Sequence, residues 1–133
     1  MSLRQLREAE SVASIVSVQN CMTPFDQGDL GSGVLAHCAA RGIAYLAYSP
    51  FGGSRGKNRV AEDPTLRRIG ERRGVSPFQV ALAWLLTRSP VVIPIPGARR
   101  VEAARDNVAA MCLALDVQDL AELDAVFPPR PDR

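Results

Sequence analysis

The chain has 133 residues, 47% of them hydrophobic, and a formal net charge of +2. This composition is ordinary for a soluble globular protein, and the length suits one modest domain but not a complete eight-stranded barrel, which takes roughly 250 residues. The small charge, without a basic run interleaved with aromatics, argues against nucleic-acid binding, and no apolar stretch approaches the roughly 18 residues of a membrane helix. Three widely spaced cysteines without a Cys-x-x-Cys motif indicate neither a disulfide framework nor a zinc site, and favour reduced thiols in the cytoplasm.

The first half of the chain predicts two helices and two strands. Apolar residues recur at helical spacing from Leu3 to Ala13, which indicates an amphipathic helix. The run Ile15–Val18 then predicts a short apolar-rich strand, and the glycines of Cys21–Gly33 indicate a loop. Two further elements follow, a helix over Gly33–Ala40 that Ser32 caps and Gly42 closes, and a strand over Ile43–Tyr48.

The second half begins with a segment rich in glycine and basic residues, Ser49–Glu62, for which we predict a mobile loop that an anion orders. Asp63-Pro64 and Ser76-Pro77 each place an N-cap residue before proline, which predicts a helix start, and Gln79 can complete a capping box by reaching back to the Ser76 backbone. The helix from Pro77 is apolar nearly all round, which predicts burial on more than one side. The remaining elements are a strand over Val91–Ile95, a helix over Arg100–Met111, a helix that runs from Asp116 through Val126, and an extended tail over 128–133.

Helices and strands therefore alternate in the order αβαβααβαα. Short connections between them demand parallel strands with right-handed crossovers. Three parallel strands with helices outside make an α/β fold, a partial (β/α)8 TIM barrel over residues 1–127. An independent flavodoxin-like sheet is the alternative, although it would need at least one more strand.

One strand–helix junction predicts a binding site for an anion. The strand Val91–Ile95 stops at Pro96-Gly97 and leads at once into a helix whose start carries Arg99 and Arg100. Such a junction gathers free backbone N–H groups and the positive end of the helix dipole, which together suit a phosphate. The alternative is that both arginines are solvated at a surface turn and bind nothing.

The order of residues at this junction, Pro94 to Arg99 followed by Asp106-Asn107, resembles the last strand and last helix of the aldo-keto reductases. Two further stretches are similar to the same family: Ile15–Asn20 resembles its sixth strand, and Gly42–Gly53 resembles its seventh strand and the following loop. The order and spacing of all three fit, so the resemblance covers nearly the whole chain. It implies the C-terminal half of a TIM barrel, from the helix before strand six to the end, in a family of NADP-dependent enzymes that reduce carbonyls to alcohols.

The resemblance also implies where NADP(H) would bind. The sixth strand would contact the nicotinamide amide and the seventh would stack on the nicotinamide ring, although an aromatic residue at a strand end can also be purely structural. The loop after the seventh strand would bind the pyrophosphate, and the loop and helix after the eighth would hold the 2′-phosphate and the adenine. The residues are Gln19 and Tyr48 for the nicotinamide, Ser49, Pro50, Phe51, Gly53 and Lys57 for the pyrophosphate, Gly97, Ala98, Arg99 and Arg100 for the 2′-phosphate, and Asp106 and Asn107 for the adenine.

Two departures from the family pattern weaken this expectation. Ala103 stands where many members place Arg or Gln against the adenosine, and Asp106 is one methylene shorter than the usual Glu. Losing one charge-assisted hydrogen bond weakens binding by roughly tenfold to a hundredfold. We therefore expect the isolated chain to bind the cofactor weakly or not at all.

The family transfers hydride with a tetrad of Asp, Tyr, Lys and His that comes from the first half of its barrel. We expect this chain to lack that tetrad, because Tyr45 and Tyr48 match the seventh strand and the sole histidine, His37, matches a non-catalytic helix. Two functions of different classes remain: the cofactor-binding half of an oxidoreductase, or a non-catalytic truncated half-barrel that self-associates or pairs with a chain supplying the other half. A plain phosphate- or nucleotide-binding module is a third.

Overall fold

The computed structural model describes residues 1–128, so the tail predicted over 128–133 lies, beyond Pro128, outside the described residues. Within this range, helices alternate with three strands. In chain order the elements are α1 (Leu3–Glu10), β1 (Ser17–Cys21), α2 (Gly28–Gly31), α3 (Val34–Arg41), β2 (Ala44–Tyr48), α4 (Gly53–Glu62), α5 (Pro64–Arg73), α6 (Pro77–Leu86), β3 (Val92–Ile95), α7 (Val101–Ala109) with a short 3-10 turn over Ala110–Cys112, and α8 (Val117–Val126).

The three strands form one parallel sheet in the order β1-β2-β3. Ser17 lies opposite Ala44 in the first pair of strands, and Tyr45 lies opposite Val92 in the second. Parallel neighbours require helical crossovers, and helices do lie between consecutive strands along the chain. The prediction of a partial barrel with parallel strands is therefore confirmed.

The sheet has one covered face and one open face. Val18, Tyr45, Ala47 and Val92 are buried beneath the helices. The same core contains large side chains from α1, α5, α6 and α8, all fully buried: Leu6, Leu66, Ile69, Trp84, Leu85 and Leu123. The fold therefore packs its helices against one side of the sheet.

Helix α6 lies within this core, as its apolar sequence predicts. Every residue from Val80 to Leu85 is buried, and the indole of Trp84 donates its Nε1–H to Asp124 Oδ1 at 2.9 Å. A side-chain cap from Ser76 and a proline at the first position begin the helix. The neighbouring helices α5 and α8 are joined by arginines Arg72 and Arg73, which bind the buried carboxylate of Asp119.

The first strand lies further along the chain than the sequence predicts, over Ser17–Cys21 instead of Ile15–Val18. The prediction took the apolar run as the strand, but Val16 is 77% exposed and lies outside the strand. In the strand itself, buried Val18 and Asn20 alternate with exposed residues. Pairing with β2 sets the limits of this strand, and an alternating pattern is typical of a strand with one covered face.

The prediction of a mobile loop over Ser49–Glu62 is wrong for its larger part, because Gly53–Glu62 is helix α4. A Cβ at Gly56 would lie 1.9 Å from the carbonyl oxygen of Phe51, so glycine permits a close backbone approach at this point. Phe51 and Val60 are buried in the core, which anchors both ends of the segment. Glycine content alone suggested a mobile segment where the tertiary fold requires a tight contact.

Two helix ends also differ from the prediction. Gly33 begins α3 in the left-handed region at φ 82°, while the Ser32 hydroxyl accepts a 3.4 Å hydrogen bond from the Val34 N–H. Helix α7 covers Val101–Ala109 and changes to the 3-10 turn before Met111. None of the helices in residues 1–128 has the length and apolar character needed to cross a membrane.

Candidate functional site

The residues predicted to bind a ligand gather at one end of the sheet. All three strands are parallel, so the segments that follow β2 and β3 leave the sheet at the same edge. Ser49–Gly53 follows β2 there, and Gly97–Arg100 follows β3. In barrel proteins this carboxyl-terminal edge carries the ligand contacts, while the opposite edge serves stability.

Gln19 and Tyr48 both lie on the open face of the sheet. Gln19 is opposite Leu46 and Cys21 is opposite Tyr48, which places all four side chains on the same face. Gln19 is exposed, and 41% of the Tyr48 surface is accessible. Tyr48 is also the last residue of β2, so its ring lies at the carboxyl-terminal edge of the sheet. The arrangement leaves a polar amide and an aromatic ring available to one ligand.

The turn between β2 and α4 is tight, and the residues on either side of it are in the left-handed region. Ser49, Gly52 and Gly53 have positive φ angles of 48°, 74° and 69°. The Gly52 N–H donates to the Ser49 carbonyl at 2.6 Å, which closes the turn. Pro50 and Phe51 are buried, and the Phe51 ring makes an edge contact with Phe78 at 5.0 Å between centroids. The two buried side chains thus hold the turn in place, and the exposed backbone around them faces solvent.

The two helices at this edge begin without a side-chain cap. Side chains of Ser2, Asp63, Ser76 and Asp116 cap helices α1, α5, α6 and α8. No side-chain cap is formed at α4, which begins after Gly52, or at α7, which begins after Arg100, and the same holds for α2 and α3. Uncapped first turns leave N–H donors and the positive end of the helix dipole free for an anion.

Cationic side chains lie near both uncapped helix starts, although α7 also carries the carboxylate of Glu102 in its first turn. Lys57 is exposed on α4, and Arg99 and Arg100 are exposed immediately before α7. Gly97 and Ala98 are also exposed, so the backbone before α7 is accessible. These groups can hold phosphate oxygens by charge-assisted hydrogen bonds. Whether they do so stays a prediction.

The predicted adenine contacts Asp106 and Asn107 have different surroundings. Asn107 is half-buried and lines an apolar groove of about 470 Å³ together with Ala98. Asp106 is half-buried as well, but both of its carboxylate oxygens are engaged. The Ser76 hydroxyl donates to Oδ2 at 2.6 Å, and Gln79 Nε2 donates to Oδ1 at 2.5 Å.

The predicted capping box at Ser76 is therefore only half formed. The Ser76 hydroxyl accepts from the Gln79 N–H at 3.1 Å, as expected for a cap. The Gln79 side chain, however, extends to Asp106 on α7 and does not return to the Ser76 backbone. The Gln79 amide donates to this carboxylate in a charge-assisted hydrogen bond, and the position of the carboxylate cannot be read from the local sequence of α6.

A buried polar cluster lies beneath the sheet and was missed by sequence reasoning. The Tyr45 hydroxyl donates to Asp29 Oδ2 at 2.6 Å, and Asn20 Nδ2 donates to the same oxygen at 2.5 Å. Burial of Tyr45, and then the Asp29 carboxylate, raise the pKa of its hydroxyl far above the usual range. Asp29 comes from the short helix α2, and no periodic signal in the sequence pairs it with a strand residue.

Comparison with known proteins gives consistent results. Residues 1–127 match the model of the aldo/keto reductase family. Pyridoxine 4-dehydrogenase of Escherichia coli (strain K12) is 38% identical over 122 residues, which cover 92% of this chain and 41% of that protein. The chain thus spans about two fifths of the length of this curated relative.

Solved structures of aldo/keto reductases have a similar fold. The thermostable aldo-keto reductase Tm1743, in complex with the inhibitor epalrestat, is 32% identical with a TM-score of 0.80, over 95% of this chain and 46% of its own. An aldo/keto reductase from Klebsiella pneumoniae, in complex with NADP and acetate, is 23% identical with a TM-score of 0.90, over 100% of this chain and 48% of its own. In both, more than half of the solved chain has no counterpart here.

Proposed function

Because the chain belongs to the aldo/keto reductase family, we propose that it is the cofactor-binding half of an NADP-dependent oxidoreductase that reduces carbonyls to alcohols. The observation that supports this most directly is the pair of uncapped helix starts, α4 and α7, at one edge of the sheet. Arg99, Arg100 and Lys57 lie near them and carry positive charge. Gln19 and Tyr48 lie on the adjoining open face. The Klebsiella reductase of the same fold was solved with NADP.

Each of these residues would take one part of an NADP molecule. Gln19 would hydrogen-bond the nicotinamide amide, and Tyr48 would stack on the ring. The turn over Ser49–Gly53 and the first turn of α4 would donate N–H groups to the pyrophosphate. Arg99 and Arg100 would bind the 2′-phosphate, because guanidinium groups suit a phosphate better than a hydroxyl. When bound, NADPH supplies the hydride.

This chain's own tyrosines are poorly placed to supply the proton that carbonyl reduction needs. The Tyr45 hydroxyl is fully buried and already donates to Asp29, and the pKa of Tyr45 is raised. Tyr48 is proposed to stack on the nicotinamide. A positioned acid contributes roughly 10²- to 10⁴-fold to the rate, so we propose that the chain alone does not reduce aldehydes above background.

The cofactor proposal is tested by titrating the chain with 2′-phospho-AMP and with AMP, followed by amide NMR shifts. We expect weak binding, with shifts centred on Gly97–Arg100, and a preference for 2′-phospho-AMP of roughly tenfold or more from one charge-assisted contact. An Arg99→Ala, Arg100→Ala double variant should lose that preference. Equal affinities for the two nucleotides would mean that the arginines are only a solvated turn.

A second proposal concerns a partner, and the open face of the sheet supports it. Tyr48, Ile93 and Ile95 are 41–48% exposed there, and an apolar groove runs along the free side of β3. In the solved reductases, more than half of the chain lies outside the matched region. We propose that a chain supplying this other half covers the open face.

The two free edges of the sheet expose different backbone groups. The Val91 carbonyl accepts from the Tyr45 N–H, so the next outward-facing backbone groups of β3 belong to Val92 and Pro94. Proline has no N–H, and this edge therefore offers few donors. The edge of β1, where the backbone of Gln19 faces outward, offers both donors and acceptors. We therefore expect a strand of the partner to pair more readily with β1 than with β3.

Light scattering during size-exclusion chromatography tests this partner proposal. The chain is mixed with the part of E. coli pyridoxine 4-dehydrogenase that it does not match, and we expect a one-to-one complex. Ile93→Lys on the open face should prevent it, whereas Arg4→Lys on the exposed face of α1 is the matched control. A stable dimer of the chain alone, unaffected by Ile93→Lys, would contradict the proposal.

A further inference from the structure

The carboxylate of Asp106 is fully occupied by helix α6. Its two oxygens accept hydrogen bonds from the Ser76 hydroxyl at 2.6 Å and from Gln79 Nε2 at 2.5 Å. The carboxylate also lies beside the first turn of α6, where the helix dipole favours negative charge. Asp106 therefore has its charge and both oxygens satisfied within the protein.

These contacts join two helices near the candidate binding edge. Helix α6 ends shortly before β3 begins, and α7 begins shortly after β3 ends. The first turns of both helices therefore lie at the carboxyl-terminal end of β3. Ser76 and Gln79 belong to the first turn of α6, and Asp106 lies five residues after the first residue of α7. The link thus fixes the part of α7 that carries Asn107 and follows Arg100.

Turning Asp106 toward a nucleotide base would be costly. The Ser76 hydroxyl, which also accepts from the Gln79 N–H, would no longer have the Asp106 carboxylate as its acceptor. The half-buried side-chain amide of Gln79 would lose the same acceptor. Two hydrogen bonds within the protein would thus be lost for a single new contact to an adenine amino group. Asn107, next along α7, has a free side chain in the groove that Ala98 also lines.

We propose that Asp106 is a positioning residue, which together with Ser76 and Gln79 forms a clip that holds the nucleotide-binding end of α7, and that Asn107 contacts the base. This inference rests on the proposed function for its ligand, while the clip itself is a property of the protein alone. It assigns a role in cofactor binding to two residues of α6 that would not touch the cofactor.

Substitution of Gln79 separates this role from a direct base contact. If Asp106 contacts the base, Gln79→Met frees the carboxylate and affinity for 2′-phospho-AMP stays the same or rises. If Asp106 belongs to a clip, Gln79→Met weakens binding by roughly three- to tenfold, the value for one lost hydrogen bond. Asp106→Ala should weaken it similarly, and the double variant should be no worse than Asp106→Ala. Gln118→Met is the matched control, because Gln118 donates to Glu122 on the remote helix α8.

A measurement without ligand keeps the clip testable if nucleotide binding fails. Urea unfolding of wild type, Gln79→Met, Asp106→Ala and the double variant forms a double-mutant cycle, in which we expect the unfolding constants to show roughly fivefold coupling. Absence of coupling would overturn the clip. A coupled cycle in a chain that binds neither 2′-phospho-AMP nor AMP would leave the clip standing and overturn its role in binding, together with the proposed function.

Discussion

The two faces of the sheet are built from the same three strands but have different side chains and surroundings. On the covered face, Val18, Tyr45 and Val92 form a row that the helices exclude from water. On the open face, Tyr48 and Ile93 are 41% and 48% exposed. Only the covered face contributes to the core of this chain.

This difference separates the residues that stabilise the fold from those that contribute little to it. Residues on the covered face lose apolar surface to water when the chain unfolds, so they hold the fold together. Residues on the open face lose little, and an exposed Tyr48 beside Gln19 has no structural reason within the described part of the chain. Exposed apolar side chains in a row are typical of a surface that contacts something else.

The largest expected effect comes from the two tyrosines. Tyr45→Ala removes a fully buried ring and the hydrogen-bond donor of Asp29, and should lower the free energy of unfolding by about 3–5 kcal/mol. Tyr48→Ala, on the open face of the same strand, should lower it by less than about 1 kcal/mol. Urea unfolding followed by the fluorescence of Trp84, the only tryptophan, measures both. Similar losses for the two variants would show that the open face also belongs to the core.

A smaller effect is expected where the covering helices are joined. Asp119 on α8 is fully buried and binds Arg72 and Arg73 of α5, both of which are partly solvated. Asp119→Ala should lower the free energy of unfolding, measured in urea, by only about 2 kcal/mol, because Arg72 still pairs with Glu122 and Arg73 with Asp116.

The same carboxylate makes stability depend on pH. Burial alone would raise the pKa of Asp119, but hydrogen bonds from Arg72, the Asp116 N–H and Arg73 outweigh it and hold the pKa below the ordinary value of 3.8. A depressed pKa means that the stabilisation is present above that ordinary value and is lost as the pH falls through the folded-state pKa. Acid unfolding of Asp119→Asn should therefore be shallower than that of wild type below about pH 4. Parallel acid profiles would contradict this assignment.

The smallest expected effect comes from comparing two adjacent residues of β3 that lie on opposite faces of the sheet. Val92→Thr places a hydroxyl on the covered face and should cost about 1–2 kcal/mol. Ile93→Thr places one on the open face, where water can solvate it, and should change the free energy of unfolding by less than about 0.5 kcal/mol. Urea unfolding of the two variants under identical conditions checks this. A greater loss for Ile93→Thr would mean that the faces have been assigned in reverse.

Much of the architecture follows from local sequence signals. Asp63-Pro64 and Ser76-Pro77 mark helix starts that the structure confirms, because capping and the fixed φ of proline act within a few residues. The apolar character of α6 predicts its burial for the same local reason, since a helix without a polar face cannot lie at the surface. The order of strands and helices then restricts the fold to parallel neighbours, which the sheet confirms.

Only the tertiary structure decides which local signals prevail. Pairing with β2 moves the first strand beyond the apolar run at Ile15–Val18, and the close approach of the Phe51 carbonyl requires glycine at position 56 within helix α4. The side chain of Gln79 reaches Asp106, 27 residues away, because the helices α6 and α7 meet in space. Partners so distant in sequence leave no periodic trace, and their contacts depend on distances that arise only when the helices pack.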